Sequence, residues 1–191
     1  SILSMSPTQG PTSGGTLGIL TGNGFTDQMT VFFETIPIQK IWFINSNLVV
    51  IEVPPYTKSK KVDIIAINKY GVSAKLEKGY EYLESISNNP PLINNIIPPE
   101  VSIEGGDTIN IHGSNITSKS LLFIDYNPQP YNFINSTNIE FISPAHKSGA
   151  VDVCITNEFG QTDCINNGLN YILKGPIINQ IIPSSGSIEG G

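Results

Sequence analysis

The chain has 191 residues, of which ten are Lys, none is Arg and sixteen are Asp or Glu, for a net charge of −6. That length allows one large domain or two of about a hundred residues, and the charge lacks the positive field and forked guanidinium donors that phosphate recognition favours, so no nucleic acid partner is expected. The same charge is repelled by an anionic leaflet, and with no basic amphipathic segment and no apolar run of about 18 residues, no direct membrane contact by this segment is expected either.

The first distinct phrase is PTQGPTSGG (7–15), a turn region ending in a glycine pair. A short strand follows and ends in GNGF (22–25). Alternating apolar residues then predict half-buried strands at VVIEV (49–53) and VDIIAI (62–67). Tyr70-Gly71 marks a hairpin turn whose glycine suits a left-handed position, and YEYL (80–83) ends the unit. The stretch ESISNNPP (84–91) is polar, and its prolines favour an extended, semi-rigid connection.

The order then starts again. PPEVSIEGG (98–106) is followed by INIHG (109–113), GSNI (113–116), VDVCIT (151–156), Phe159-Gly160 and LNYIL (169–173), and the chain closes on PSSGSIEGG (183–191). Pro7 falls on Pro98, Gly15 on Gly106, Phe43 on Phe133, Pro54 on Pro144, Tyr70-Gly71 on Phe159-Gly160 and Tyr82 on Tyr171, with offsets between 89 and 91. Glycine pairs 91 and 85 residues apart are spaced as whole domains, above the roughly 20 to 50 residues of solenoid units. No apolar stripe of helical period is sustained, and 18 glycines and 14 prolines punctuate the chain, so the fold class expected is all-β, with tandem β-sandwiches. The predicted layout is a first domain over 1–84, a linker over 85–90, a second domain over 91–174 and, over 175–191, the start of a third repeat in a longer chain. Phe43, Phe133, Tyr82 and Tyr171 are expected between the sheets.

This order of proline, turn, Gly-Gly-Thr or Gly-Gly-Asp, strand, aromatic-Gly hairpin and final aromatic strand resembles IPT/TIG domains, which are early-set immunoglobulin-like sandwiches. The resemblance covers residues 1–83 and 91–173. Tandem domains of this family occur in plexin-like and scatter-factor-like receptors, in bacterial surface and polysaccharide-handling proteins and in Rel-type transcription factors. With DNA contact set aside by charge, the repeats, sequons and Asn/Ile/Ser-rich composition look most like the TIG-repeat transmembrane recognition proteins of social amoebae.

Cys154 and Cys164 are the only cysteines and flank the turn at 158–160. Counting outward through Asn157–Gln161, Thr156–Thr162 and Ile155–Asp163 sets them directly opposite, at a separation that a cross-strand disulfide can span. Asn115-Ile-Thr117 and Asn135-Ser-Thr137 are glycosylation acceptor patterns in predicted turns, and Asn45, which aligns with Asn135, lacks the hydroxyl two residues on. Paired cysteines and sequons favour the extracellular side of the plasma membrane.

No cofactor, metal or catalytic site is expected. His112 reads as a strand residue, His146 as a solvated loop residue, and Asp63 and Asp152 as outward-facing surface. The lead for recognition is an asymmetry: Trp42 corresponds to Asn132 and Val50 to Glu140. Positions that accept Asn or Glu in the sister domain are expected to face solvent, so Trp42 and Val50 would form an exposed patch on the first domain, a candidate partner-binding site. The function expected is a fragment of a cell-surface adhesion or recognition receptor that binds a protein on an opposing cell, homophilically or heterophilically. The alternative is a carbohydrate-binding or spacer module of a polysaccharide-active protein.

Overall fold

The structure, a computed structural model, describes residues 1–175 and scattered positions beyond them, so the expected start of a third repeat lies largely outside the described residues. Two sandwiches follow one another. The first holds β1 (Ile2–Ser6), β2 (Gln9–Pro11), β3 (Leu17–Gly22), β4 (Thr30–Phe33), β5 (Ile36–Pro37), β6 (Ile41–Asn45), β7 (Leu48–Glu52), β8 (Lys60–Ile67) and β9 (Ser73–Leu83). The second holds β10 (Leu92–Ile97), β11 (Glu100–Ser102), β12 (Thr108–Ser114), β13 (Leu121–Ile124), β14 (Asn127–Gln129), β15 (Asn132–Asn135), β16 (Asn138–Ile142), β17 (Gly149–Thr156) and β18 (Thr162–Ile172).

Each sandwich pairs a four-stranded sheet with a five-stranded one. The orders are β1-β3-β7-β6 and β2-β9-β8-β4-β5 in the first, and β10-β12-β16-β15 and β11-β18-β17-β13-β14 in the second. Pairing is antiparallel except where β2 joins β9 and β11 joins β18. Period-two patterning places one set of side chains inside: Val62, Ile64 and Ala66 of β8 are buried and the residues between them are half-exposed. Leu20, Phe33, Val49, Ile51, Tyr80 and Tyr82 centre one core, and Ile109, Ile111, Leu122, Ile139, Val153 and Tyr171 a separate one.

Two of the four expected core aromatics behave otherwise. Tyr82 and Tyr171 are buried, but Phe43 is 41% exposed and Phe133 37%. Both point toward the inside, opposite the core residues Val49 and Ile139, yet β6 and β15 are edge strands with no further strand to close over them.

Asp63 and Asp152 are also more than solvated surface. Each sits where the pairing of its hairpin slips by two residues. Asp63 Oδ1 accepts the N–H of Lys78 at 2.8 Å and Asp152 Oδ1 that of Asn167 at 2.9 Å. Lys78 and Asn167 hold φ of 48° and 54°, so each carboxylate satisfies the donor of a bulge residue in the left-handed region. The Lys75 ammonium, then the Lys78 amide, hold the Asp63 carboxyl below its usual range. Asp63→Ala and Asp152→Ala are each expected to lower the urea midpoint of unfolding. Two alanine variants as stable as the parent would show that the bulges hold without these caps.

Candidate interaction surface

Strand β7 departs from simple alternation. Val49, Val50 and Ile51 are all fully buried, which requires cover on both faces of the strand. Val49 and Ile51 enter the core of the first sandwich, and Val50 points the other way. Beyond it lies the second sandwich. Leu17, Val50, Phe123 and Cys154 form an apolar cluster between the two, bordered by Ile19, Trp42, Ile44, Leu48, Leu121 and Tyr126.

The expected exposed patch is therefore corrected: Val50 has no exposure and Trp42 is half-buried. The Trp42 indole stacks on the Tyr126 ring with centroids 4.0 Å apart and planes 10° apart. Trp42 is equivalent to Asn132 and Val50 to Glu140, but the equivalent positions have different surroundings. The register shows why, because Ile19, Val50 and Trp42 make one rung across β3, β7 and β6, and Asn110, Glu140 and Asn132 make the matching rung in the second sandwich. The first rung is docked on a neighbour and the second is free of the junction.

The opposing face is built the same way. Phe123, Cys154 and Cys164 form a rung across β13, β17 and β18, where the first sandwich has Phe32, Ile65 and Lys75. Cys154 and Cys164 are joined in a disulfide with their Cα atoms 4.1 Å apart. Cys154 lies inside the junction and Cys164 is exposed at its border.

A buried polar relay crosses the junction beside this cluster. The Tyr80 hydroxyl donates to Thr16 Oγ1 at 2.9 Å, and Thr16 Oγ1 donates to the carbonyl of Gly160 at 2.6 Å. The Leu17 N–H donates to Thr162 Oγ1 at 3.1 Å. Burial pushes the Tyr80 phenol well above its usual range. Gly160, at φ 76°, presses so closely on the first sandwich that a Cβ there would stand 2.2 Å from the Gln9 carbonyl oxygen and 2.6 Å from the Gly10 Cα. The linker is held as well: the Gln161 carboxamide donates to the Asn88 carbonyl at 3.0 Å and that of Asn115 to the Pro90 carbonyl at 2.9 Å.

Tyr126 is one phenol of the junction whose titration is readable at Trp42. Burial first, and then its hydrogen bond to Asp152 Oδ2 at 2.9 Å, push its phenol up to about 12. The neutral phenol is the form the folded chain holds, against an unfolded value of about 10. Its contribution is complete below about pH 10 and is lost as the pH rises through about 12. Trp42, the single tryptophan, reports this directly. Its emission is expected to shift toward the exposed form across that alkaline window, and Tyr126→Phe to remove the shift; an identical shift in the Phe variant would assign it to another tyrosine.

The remaining sequence candidates lie apart from the junction core. Asn115 is exposed in a bend after β12, Asn135 is exposed at the end of β15, just before the turn, and His112 is exposed on β12. His146 is not freely solvated: its Nε2 is 3.0 Å from Asp125 Oδ2 and its ring lies 4.8 Å from that of Tyr171. Among the described residues, no three His, Cys, Asp or Glu side chains are grouped to hold a metal. Sequence reasoning missed Leu17, Phe123, Tyr126, Thr16 and the contact at Gly160. A signal was present in the unbroken apolar runs VVI (49–51) and LLFI (121–124), which contrast with the alternating IEF (139–141) of the sister strand.

The family model for the IPT/TIG domain matches residues 1–78 and again residues 91–171. The chain belongs to the IPT/TIG domain family. Among solved structures, the tandem IPT/TIG pair is similar to the tandem Ig repeats of Dlar at 12% identity, covering 87% of this chain and 95% of that one, with a TM-score of 0.49. It is also similar to the full extracellular region of plexin A4, at 14% identity over 90% of this chain and 18% of that one, with a TM-score of 0.37. A third similarity is to SGBP-B, from a complex xyloglucan utilization locus in Bacteroides uniformis, at 15% identity over 89% of this chain and 49% of that one, with a TM-score of 0.38. The IPT/TIG pair thus spans under a fifth of the plexin region and about half of the bacterial protein.

Proposed function

We propose that this IPT/TIG pair is part of the extracellular region of a cell-surface receptor and binds a protein on an opposing cell without catalysing a reaction. The observation that carries this reading is the dry junction. Trp42, Val50 and the face bearing the disulfide are spent on holding two sandwiches against each other, and a fixed pair presents its outer surfaces at a set angle, which lowers the ordering cost of binding a large partner. A disulfide in this position agrees with an oxidising compartment, as do the exposed acceptor patterns at Asn115 and Asn135.

A fluorescent fusion of the pair is expected to bind cells, and the binding is expected to disappear when the cells are first treated with a protease. Binding that survives protease but is competed away by a purified polysaccharide would replace this reading with a carbohydrate-binding one. No binding in either arm would leave the pair as a spacer.

A further inference from the structure

The two four-stranded sheets each end in a short edge strand, and the two edges are treated differently. In the first sandwich, β6 lies under the junction: Trp42 stacks on Tyr126 and Ile44 packs against the interdomain cluster. In the second, all four residues of β15 are exposed. Phe133 is 37% exposed and Ile134, at the irregularity in the pairing with β16, is 48% exposed. An open hollow of about 400 Å³, lined by Pro130, Tyr131, Asn132, Glu140, Phe141 and Ile142, adjoins the strand. An apolar edge strand with free main-chain donors and acceptors is a template for pairing with another chain, and folded proteins cover or blunt such edges.

Asn135 is the last residue of this strand. Its Oδ1 accepts the N–H of Thr137 at 2.9 Å and the Thr137 hydroxyl at 2.8 Å. The side chain is exposed, and its Nδ2 makes no hydrogen bond among the described residues. The sister residue Asn45 makes the same turn, with Oδ1 accepting the N–H of Asn47 at 2.8 Å, but Asn47 brings no hydroxyl. The acceptor pattern is thus present on the edge strand whose side chains are all exposed and absent from the one whose outer face packs into the junction.

We propose that Asn135 carries an N-linked glycan whose role is to cap the β15 edge against association with a second copy of this chain. The assignment rests on the extracellular reading, since the modification requires passage through the secretory route. Its donor is an oligosaccharide on a polyprenyl diphosphate: the Asn135 Nδ2–C1 bond forms, the C1–O bond to the diphosphate breaks, and the amide proton passes to the transferase's base. The glycan, rooted at the strand's end, sweeps the space that an added strand would occupy beside Phe133 and Ile134.

The test directs residues 1–191 through the secretory route of a eukaryotic cell with a fused leader. Enzymatic deglycosylation in heavy-oxygen water, which converts each glycan-bearing Asn to a labelled Asp, is expected to mark Asn135. Asn135→Gln is expected to sediment as dimers or larger species at concentrations where the glycosylated parent is a monomer, and adding Ile134→Lys to return it to monomer. A bare Asn135 in the secreted protein overturns the modification, and a monomeric Asn135→Gln protein overturns the capping role. The location is tested apart from these arms, by fractionating the native source: recovery in the cytosol removes the extracellular reading whatever the leader-directed protein shows.

Discussion

Gly160→Ala is expected to separate the two sandwiches, and Gly71→Ala is not. The two glycines occupy equivalent hairpin turns at φ 76° and 78°, and Asn157 and Asn68 brace those turns alike: Oδ1 of each accepts two N–H groups of its own loop. The strain of a side chain in the left-handed region, about 1 kcal/mol, is therefore common to both. Space is not: at Gly71 an added Cβ meets nothing within 4 Å, whereas at Gly160 it meets main-chain atoms of Gln9 and Gly10. Main chain in a sheet cannot yield as a flexible side chain can. The hairpin must withdraw, which breaks the bond from Thr16 and bares the Leu17–Val50–Phe123 cluster. Gly71→Ala is expected to lose about 1 kcal/mol with unchanged Trp42 emission, and Gly160→Ala about 3 kcal/mol or more with emission shifted to the red and readily quenched. Matching emission in the two variants would show that the turn absorbs the clash locally.

The second large effect is expected from placing the sister residue in the junction. Val50→Glu introduces what position 140 already has, but Glu140 is half-exposed on its free face and Val50 is wholly buried. A carboxylate without a partner in that apolar cluster costs several kcal/mol, more than the chain need bear, because the sandwiches can part and let water reach it. The loss is capped at the free energy of docking, about 3–5 kcal/mol for a cluster of this size less the freedom regained. Hydrogen exchange is expected to quicken on β3, β7 and β13 while Phe33, Ile64 and Ile111, inside the separate cores, stay protected. Glu140→Val is expected to leave stability within about 0.5 kcal/mol, as for most surface changes. Undiminished protection of β7 in Val50→Glu would remove the dry junction as the element that fixes the pair.

The docking is heterologous, one kind of face on another, and such contacts extend indefinitely when both faces recur on every unit. Here they do not recur. Asn110, Glu140 and Asn132 replace Ile19, Val50 and Trp42, and Lys75 replaces Cys164. Lys75 is further engaged by Asp63 at 2.8 Å. The free rung of the second sandwich is polar where its docked counterpart is apolar, and the free rung of the first keeps Phe32 and Ile65 but gains the charge of Lys75.

Much of the fold is written locally. Period two sorts inside from outside within a strand, a glycine fixes the left-handed corner of a hairpin, and counting outward from that corner sets Cys154 against Cys164. Each of these depends on residues within one hairpin, which is why the sequence alone determined the β-sandwich class of the two repeats and the pairing of the cysteines, with the immunoglobulin-like type implied by the family resemblance. It could not determine what lies beyond an outward face. Alternation says that Val50 and Trp42 point away from their own core, and the same pattern serves a side chain in water or one docked on another domain. Only the tertiary structure, by bringing Tyr126, Phe123 and Gly160 against them, decided between the two. It also decided which inward-pointing aromatics are sealed, because Phe43 and Phe133 stand on edges that exist only once the strand order is set. Asp63 and Asp152 point outward as alternation requires, yet a bulge on the facing strand turns each into the acceptor of a main-chain bond.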